Sequence, residues 1–191
     1  MAGELSGTTI AFMVANEGVE RVELTRPWQA VEDAGGTAVL IAPKTGAVQT
    51  FDHLDKADVV HATVSTEDAR ADDYDGIVLP GGVANPDQLR MDGAAVDLLR
   101  AVAERGRPIA VICHGPWSLI EADLVRDRTI TSWPSLQTDL RNAGATWVDE
   151  ELVECSNGPF VLLSSRKPDD LPAFCGGIRR VMAGQRTASQ A

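Results

Sequence analysis

The chain has 191 residues, of which 44% are hydrophobic and 24% are charged, a composition typical of one globular domain. Its formal net charge of −11 argues against nucleic acid or an anionic membrane surface as the main partner, because neither attracts an acidic protein. The first seven residues lack the basic and apolar regions of a secretory signal, and no apolar run is long enough to span a membrane.

Apolar runs alternate with helical patterns along the chain, which predicts βαβ units. The predicted core strands are residues 8–15, 37–42, 75–79 and 108–112, and residues 128–131 are a further candidate strand. Helices are predicted at residues 20–34, 92–105, 115–122, 135–143 and 169–183. Two hairpins are predicted, a small peripheral one within residues 44–65 and another at 153–164 around Asn157-Gly158.

This order of elements predicts the fold class: an α/β, single-domain, flavodoxin-like sandwich with a mostly parallel sheet and helices on both faces. We expect a flexible N-terminus at residues 1–7, one domain at 8–183 and a frayed C-terminal tail at 184–191.

Cys113 directly follows the fourth predicted strand, and His114, Gly115 and Pro116 then begin a helix. A buried strand that turns sharply into a helix at a nucleophile is the elbow of the α/β hydrolases. The N–H groups and the dipole of the helix start favour a thiolate, so we expect a lowered pKa for Cys113. The alternative is a buried structural cysteine, but the elbow context favours a functional one.

Two other motifs end predicted strands and should share one edge of the sheet with Cys113, near a switch in strand order. One is the turn Pro80-Gly81-Gly82, whose backbone N–H could stabilise an oxyanion together with the N–H of His114. An ordinary turn is the alternative. The other is the segment 16–23, where Glu20 and Glu23 share one helix face.

A carboxyl group buried beside a thiolate should have a raised pKa and donate a hydrogen bond to it, although first-turn acids also serve simply to complement the helix dipole. His114 is a candidate base for Cys113, and it would need a third group to orient its ring; the alternative is a histidine that only supports the turn. Trp117 and Trp133 are candidate pocket walls, with core packing as the more frequent role of tryptophan.

The sequence contains no motif typical of a metal site or of a nucleotide cofactor. The three histidines show no metal-ligand spacing, and neither a dinucleotide nor a triphosphate motif occurs, so we expect no metal and no cofactor. The cysteines are odd in number and widely spaced, which indicates a reducing, cytoplasmic compartment; they are Cys113, Cys155 and Cys175.

The run A-V-I-C-H-G-P, with V-L-P-G-G before it and T-S-W-P-S after it, resembles the PfpI-type intracellular protease family. That family belongs to the superfamily of the parkinsonism-associated deglycase and the class I glutamine amidotransferases. Further similarity at residues 15–24, 143–150 and 164–171 extends the resemblance over about residues 8–183.

The resemblance implies a role for each matching residue. Cys113 is similar to the family nucleophile and His114 to its adjacent histidine, and the backbone of Gly82 and His114 matches the oxyanion hole. Glu23 matches the acid that contacts the cysteine, and Glu20 the other acid of that motif. Gly81 and Trp133 are then expected at the pocket.

The third catalytic member of the family is an acid after the Pro-Gly-Gly loop, supplied by a neighbouring subunit. Asp87 stands at this place, where a glutamate is common, and the loop from Gly82 to Asp87 is one residue longer than in compact relatives. Arg21 also stands where a further acid is common. The resemblance therefore implies a homodimer or higher homo-oligomer with a site shared across the interface.

These features predict a cysteine-nucleophile hydrolase or deglycase in stress protection, acting on carbonyl substrates such as a peptide, a glycated adduct or a 2-oxoaldehyde. The alternative is a redox-sensing stress protein or holdase whose Cys113 is oxidised by peroxide. A glutamine amidotransferase is a weaker alternative, because no histidine follows His114.

Overall fold

The apolar runs of the sequence pair as strands in the computed structural model, which describes residues 3–184. Within these residues the strands are β1 (Thr9–Met13), β2 (Glu17–Glu20), β3 (Thr37–Ala42), β4 (Gly46–Asp52), β5 (Asp55–Ala62), β6 (Val64–Ser65), β7 (Gly76–Leu79), β8 (Ile109–Ile112), β9 (Thr129–Ile130), β10 (Thr146–Trp147), β11 (Val153–Cys155) and β12 (Leu162–Ser165). The helices are α1 (Arg21–Asp33), α2 (Ala84–Leu89), α3 (Gly93–Glu104), α4 (Pro116–Glu121), α5 (Gln137–Asn142) and α6 (Leu171–Ala183).

The main sheet has seven strands in the order β11-β12-β8-β7-β1-β3-β6. All neighbouring pairs are parallel except β11 with β12. The chain adds β3 and β6 on one side of β1 and β7, β8 and β12 on the other, so the strand order switches between β1 and β7. The predicted fold class is confirmed: this is a single α/β domain with a mostly parallel sheet.

Helices cover both faces of this sheet, and each face has its own apolar core. Helices α1 and α6 pack on one face through residues such as Leu24 and Phe174. Helices α3, α4 and α5 pack on the other face through residues such as Leu99, Leu119 and Leu140. Each large apolar side chain buried in this way contributes about 1.5–3 kcal/mol, so both layers fix the positions of the strand ends.

The region of residues 44–65 forms the predicted hairpin, with β4 antiparallel to β5. The structure adds a strand that the sequence did not reveal, because β2 pairs with β4 and makes this a three-stranded sheet. The segment from Gly82 to Asp87 also differs from the loop expected there, since α2 begins at Ala84 and includes Asp87.

Residues 3–7 pack onto the domain, and the flexibility expected for the N-terminus stays a prediction. Leu5 is fully buried in the core beneath α1, and its N–H donates to the carbonyl oxygen of Ala34 at 2.9 Å. Most of the predicted C-terminal tail, residues 185–191, lies outside the described residues, as do residues 1 and 2. Across residues 3–184, no helix combines the length and apolarity required to cross a membrane.

Candidate active site

Cys113 lies on a sharp turn between β8 and α4, as the elbow motif predicts. Its φ is +62°, a left-handed conformation that costs a residue with a side chain about 1–2 kcal/mol. The turn is tight around it: a Cβ on Gly115 would lie 2.7 Å from Val111 Cγ2 and 2.8 Å from the carbonyl oxygen of Leu79. Only glycine therefore fits after His114, and the elbow holds the sulfur at the carboxyl edge of the sheet.

The backbone N–H groups of Gly82 and His114 lie beside the Cys113 sulfur, and both act to lower the pKa of its thiol. Gly82 adopts a φ of +82°, and a Cβ there would collide with the carbonyl oxygen of Gly18 and lie 2.8 Å from the nitrogen of Glu20. The missing side chain of Gly82 thus lets the turn pack against β2. Gly81 lets the same turn approach the nucleophile, because a Cβ there would lie 2.6 Å from Cys113 Cβ. The sequence placed these same two donors together.

The ring of His114 lies against the sulfur, with Nδ1 3.2 Å from Sγ. Its Nε2 is 3.5 Å from the Ser135 hydroxyl, and the rings of Trp117 and Trp133 lie 5.3 and 5.8 Å from it. Burial lowers the pKa of His114 to about 4, so the ring is neutral at neutral pH and can accept a proton. Among the described residues, Ser135 is the only side chain within hydrogen-bond distance of His114 Nε2. The sequence analysis missed this serine.

Ser135 reaches the histidine because the loop before it is fixed to the elbow. The N–H of Trp133 donates to the carbonyl oxygen of Cys113 at 2.9 Å, and the 3-10 turn Pro134–Leu136 follows at once. The T-S-W-P-S motif that carries the family resemblance was the signal that could have indicated this serine.

Glu23 is fully buried on α1 beside the nucleophile. Its Oε2 accepts the N–H of Gly81 at 2.8 Å, and its buried Oε1 has no hydrogen-bond partner among the described residues. The carboxyl group also interacts with the thiol of Cys113. Burial raises the pKa of Glu23 to about 8, so the carboxyl group is protonated at neutral pH. The raised pKa that the sequence predicts for this acid is confirmed.

The pKa of Cys113 differs from the expected one: it is raised. Burial is the main cause, since only 6% of the residue is exposed, and the charge of an ionised Glu23 adds to it. The N–H groups of Gly82 and His114 act in the opposite direction but do not outweigh desolvation. The prediction of a lowered pKa was wrong because it considered the helix start without the atoms that exclude water from the sulfur.

Glu20 holds the tip of the β4–β5 hairpin over the site. Its Oε2 accepts the N–H of His53 at 3.0 Å and lies 3.9 Å from His53 Nδ1. His53 has a φ of +57°, so the tip turns sharply at this residue. Glu20 thus lines the site, as the resemblance implies, and it also positions residues distant in sequence.

Above the sulfur lies a cavity of about 220 Å³, lined by Glu20, Glu23, His53, Leu54, Gly82, Val83, Cys113, His114, Trp133 and Pro168. Trp133 forms a wall as predicted. Gly81 lies beneath the cavity rather than in its lining, and a Cβ there would lie 2.5 Å from Glu23 Oε2. The sequence analysis missed His53, Leu54, Val83 and Pro168, which come from a hairpin tip and loops without a chemical motif.

Asp87 does not join the other predicted residues within one chain. It is exposed on α2, pairs with Arg90 and lines a separate surface cavity. Its place in a neighbouring subunit's site stays a prediction. Among residues 3–184, no group of three or more His, Cys, Asp or Glu side chains is arranged to bind a metal ion.

The fold and the site together define a class of protein: an α/β domain with a cysteine on an elbow at the carboxyl edge of the sheet, flanked by a histidine and a buried acid. The family model described as "DJ-1/PfpI family" matches residues 8–180, and the chain belongs to this family.

Named relatives agree with this assignment. YraA of Bacillus subtilis, whose name includes the words cysteine protease, is 38% identical over 165 residues, which cover 86% of this chain and 92% of YraA. Deglycase PfpI of Pyrococcus furiosus is 35% identical over 165 residues, covering 86% of this chain and 93% of the relative.

A solved structure is also similar: a two-domain protein from Anabaena variabilis with DJ-1/ThiJ/PfpI-like and ferritin-like domains. It has a TM-score of 0.81 and 31% identity, and the match covers 89% of this chain and 48% of the other.

Proposed function

We propose that this protein is a cysteine-nucleophile enzyme of the hydrolase or deglycase type that attacks a carbonyl carbon in a peptide, a glycated adduct or a 2-oxoaldehyde. One observation supports this above all: Cys113 Sγ lies 3.2 Å from a neutral histidine nitrogen at the base of an open cavity. A nucleophile within reach of its base is the arrangement that covalent catalysis requires. The names of the deglycase and cysteine protease relatives agree with this class.

In the proposed mechanism, His114 Nδ1 accepts the thiol proton as Cys113 Sγ bonds to the carbonyl carbon. The electron pair of the carbonyl double bond moves to oxygen, and the N–H groups of Gly82 and His114 donate to that oxygen. In a peptide, the imidazolium returns the proton to the departing amine as the carbon–nitrogen bond breaks, which leaves an acyl thioester on Cys113. In a 2-oxoaldehyde, which has no leaving group, the proton on the attacked carbon moves to the adjacent carbonyl carbon, and this gives the thioester of a 2-hydroxy acid. Water then hydrolyses the thioester.

The raised pKa of Cys113 and the lowered pKa of His114 both disfavour a thiolate–imidazolium pair in the empty site. Proton transfer therefore accompanies attack instead of preceding it. Protonated Glu23 assists, because a neutral acid donates toward the sulfur whereas its carboxylate would repel the developing charge.

The proposal is tested with Cys113→Ala on methylglyoxal and on fluorogenic peptides, with Cys175→Ala as the matched control. Cys113→Ala should abolish turnover and keep the wild-type circular dichroism spectrum, whereas Cys175→Ala should keep turnover. Near-wild-type activity in the folded Cys113→Ala protein would refute the proposal.

A second candidate function is peroxide sensing, favoured by one observation: the buried Glu23 Oε1 has no hydrogen-bond partner among the described residues, and its carboxyl group interacts with the Cys113 thiol. A protonated carboxyl at this place could donate to the oxygen of an oxidised sulfur. The two functions separate at His114, which turnover needs and oxidation does not. If His114→Ala loses turnover and Cys113 still gains oxygen by mass spectrometry after peroxide treatment, both reactions use this site.

We also propose that the enzyme acts as a homo-oligomer in the cytoplasm, with Asp87 contributed to the site of a neighbouring subunit. The exposure of Asp87 on α2 supports this, because a surface carboxylate is available to a second copy. Specific activity should then fall on dilution below the dissociation constant of the oligomer. Constant activity per chain, with monomers seen by sedimentation, would contradict it.

A further inference from the structure

The outer wall of the cavity above Cys113 is apolar. Leu54 is 90% exposed, Val83 is 55% exposed and Trp133 is 38% exposed. Three of the five large exposed apolar side chains within residues 3–184 therefore line this one cavity. Single exposed apolar residues are ordinary on a protein surface, but several around one concave site provide a contact for an apolar ligand group.

The charged groups of the cavity have one sign. Glu20 and Glu23 line it together with His53 and His114, whereas no lysine or arginine of the described chain does. Glu23 is protonated at neutral pH, which leaves the Glu20 carboxylate facing the ligand. A ligand carboxylate would meet this charge without a cation to balance it, which disfavours its binding.

The hairpin tip that carries Leu54 is held through the two residues that precede Leu54. The backbone of Asp52 pairs with that of Asp55 where β4 meets β5. Arg21 donates to both carboxylate oxygens of Asp52, at 2.9 and 2.6 Å. Arg21 is the residue that departs from the acid common in the family. In this chain it fastens the tip from α1 while Glu20 holds the neighbouring His53, so Leu54 stays at the mouth of the cavity.

We propose that this cavity selects uncharged carbonyl substrates with an apolar group beside the reacting carbon, and that Leu54 and Val83 contact that group. Glu20 disfavours anionic substrates of the same size. This inference rests on the proposed function for the identity of the reacting carbon, but the selectivity of the cavity itself can be measured without turnover.

The test is alkylation of Cys113, followed by peptide mass mapping, with each rate divided by the rate of glutathione with the same reagent. Iodoacetamide should exceed iodoacetate by at least about tenfold, because the two reagents differ mainly in charge. Glu20→Gln should reduce this ratio, since the amide oxygen still accepts the N–H of His53 but the charge is gone.

The apolar contact is tested with N-phenylmaleimide and N-ethylmaleimide. Leu54→Ser should lower the normalised preference for the phenyl reagent by about fivefold, the loss expected for one apolar contact. Val59→Ser is the matched control, because Val59 is also an exposed apolar residue of the same hairpin but does not line the cavity.

Equal effects of Leu54→Ser and Val59→Ser, or equal normalised rates for iodoacetamide and iodoacetate, would overturn the inference. A changed sedimentation coefficient in Leu54→Ser would also overturn it, because Leu54 would then belong to a subunit interface. Selective alkylation without turnover of any 2-oxoaldehyde, peptide or glycated adduct would support the cavity's selectivity and refute the proposed function. With turnover, kcat/KM should favour phenylglyoxal over anionic glyoxylate.

Discussion

The replacement Glu23→Gln should stabilise the folded protein at neutral pH. The carboxyl group is fully buried, and its Oε2 accepts the N–H of Gly81 at 2.8 Å. A glutamine side chain keeps this acceptor and places its amide donor toward the Cys113 sulfur. The variant thus retains the shape and the backbone hydrogen bond while it removes the ionisable group.

The size of the effect follows from the pKa of Glu23, which burial raises from 4.5 to about 8 in the folded chain. A raised carboxyl pKa means that the folded state binds the proton more tightly than the unfolded state does. The stability that the protonated Glu23 side chain contributes is complete below pH 4.5 and is lost as the pH rises toward 8. Between pH 4.5 and pH 7 the free energy of unfolding falls by about 1.36 kcal/mol for each pH unit, which amounts to about 3 kcal/mol.

Urea denaturation at about pH 5 and about pH 7 measures this difference, and groups common to both proteins cancel between variant and wild type. The stability gain of Glu23→Gln should be small at the lower pH and near its full size at the higher one. Glu32→Gln, at an exposed position of the same helix, is the matched control and should show no such trend. A gain that is equal at both pH values would refute the assignment of a raised pKa to Glu23.

Three further predictions concern catalysis and stability. The pH profile of kcat/KM should have limbs near pH 4 and pH 8, from His114 and Glu23, and Glu23→Gln should abolish the upper limb; an unmoved upper limb would assign it to another group. Ser135→Ala should lower kcat about tenfold with little change in KM, because the ring of His114 loses its partner, and Ser135→Thr should restore it; a change confined to KM would contradict this positioning role. Asp92→Ala should cost about 1 kcal/mol, seen as a lower melting temperature with unchanged activity, because the Asp92 carboxylate accepts the Ala95 N–H at the start of α3. Asp92→Asn should retain most of that stability, and equal losses in both variants would exclude capping as the cause.

The sequence predicts best where the evidence is local. The strand that ends at Ile112, the elbow at Cys113 and helix α3 all follow from short patterns of apolar residues and glycines, and each is present close to its predicted bounds. Strand β2 was missed because its four residues pair with a partner about thirty positions away, a contact that no local pattern records.

The site shows the same division. The sequence by itself placed Cys113 with His114, the Pro80-Gly81-Gly82 turn and the segment 16–23 at one edge of the sheet, because the strand ends of a parallel sheet meet there. The family resemblance then singled out Glu23, and the catalytic roles of these residues stay predictions. The tertiary structure alone decided that His53, Leu54 and Pro168 form the mouth of the cavity and that Ser135 reaches the histidine. It also decided the direction of the Cys113 pKa, since desolvation depends on the atoms that distant segments pack around the sulfur, while a helix start acts through neighbouring residues.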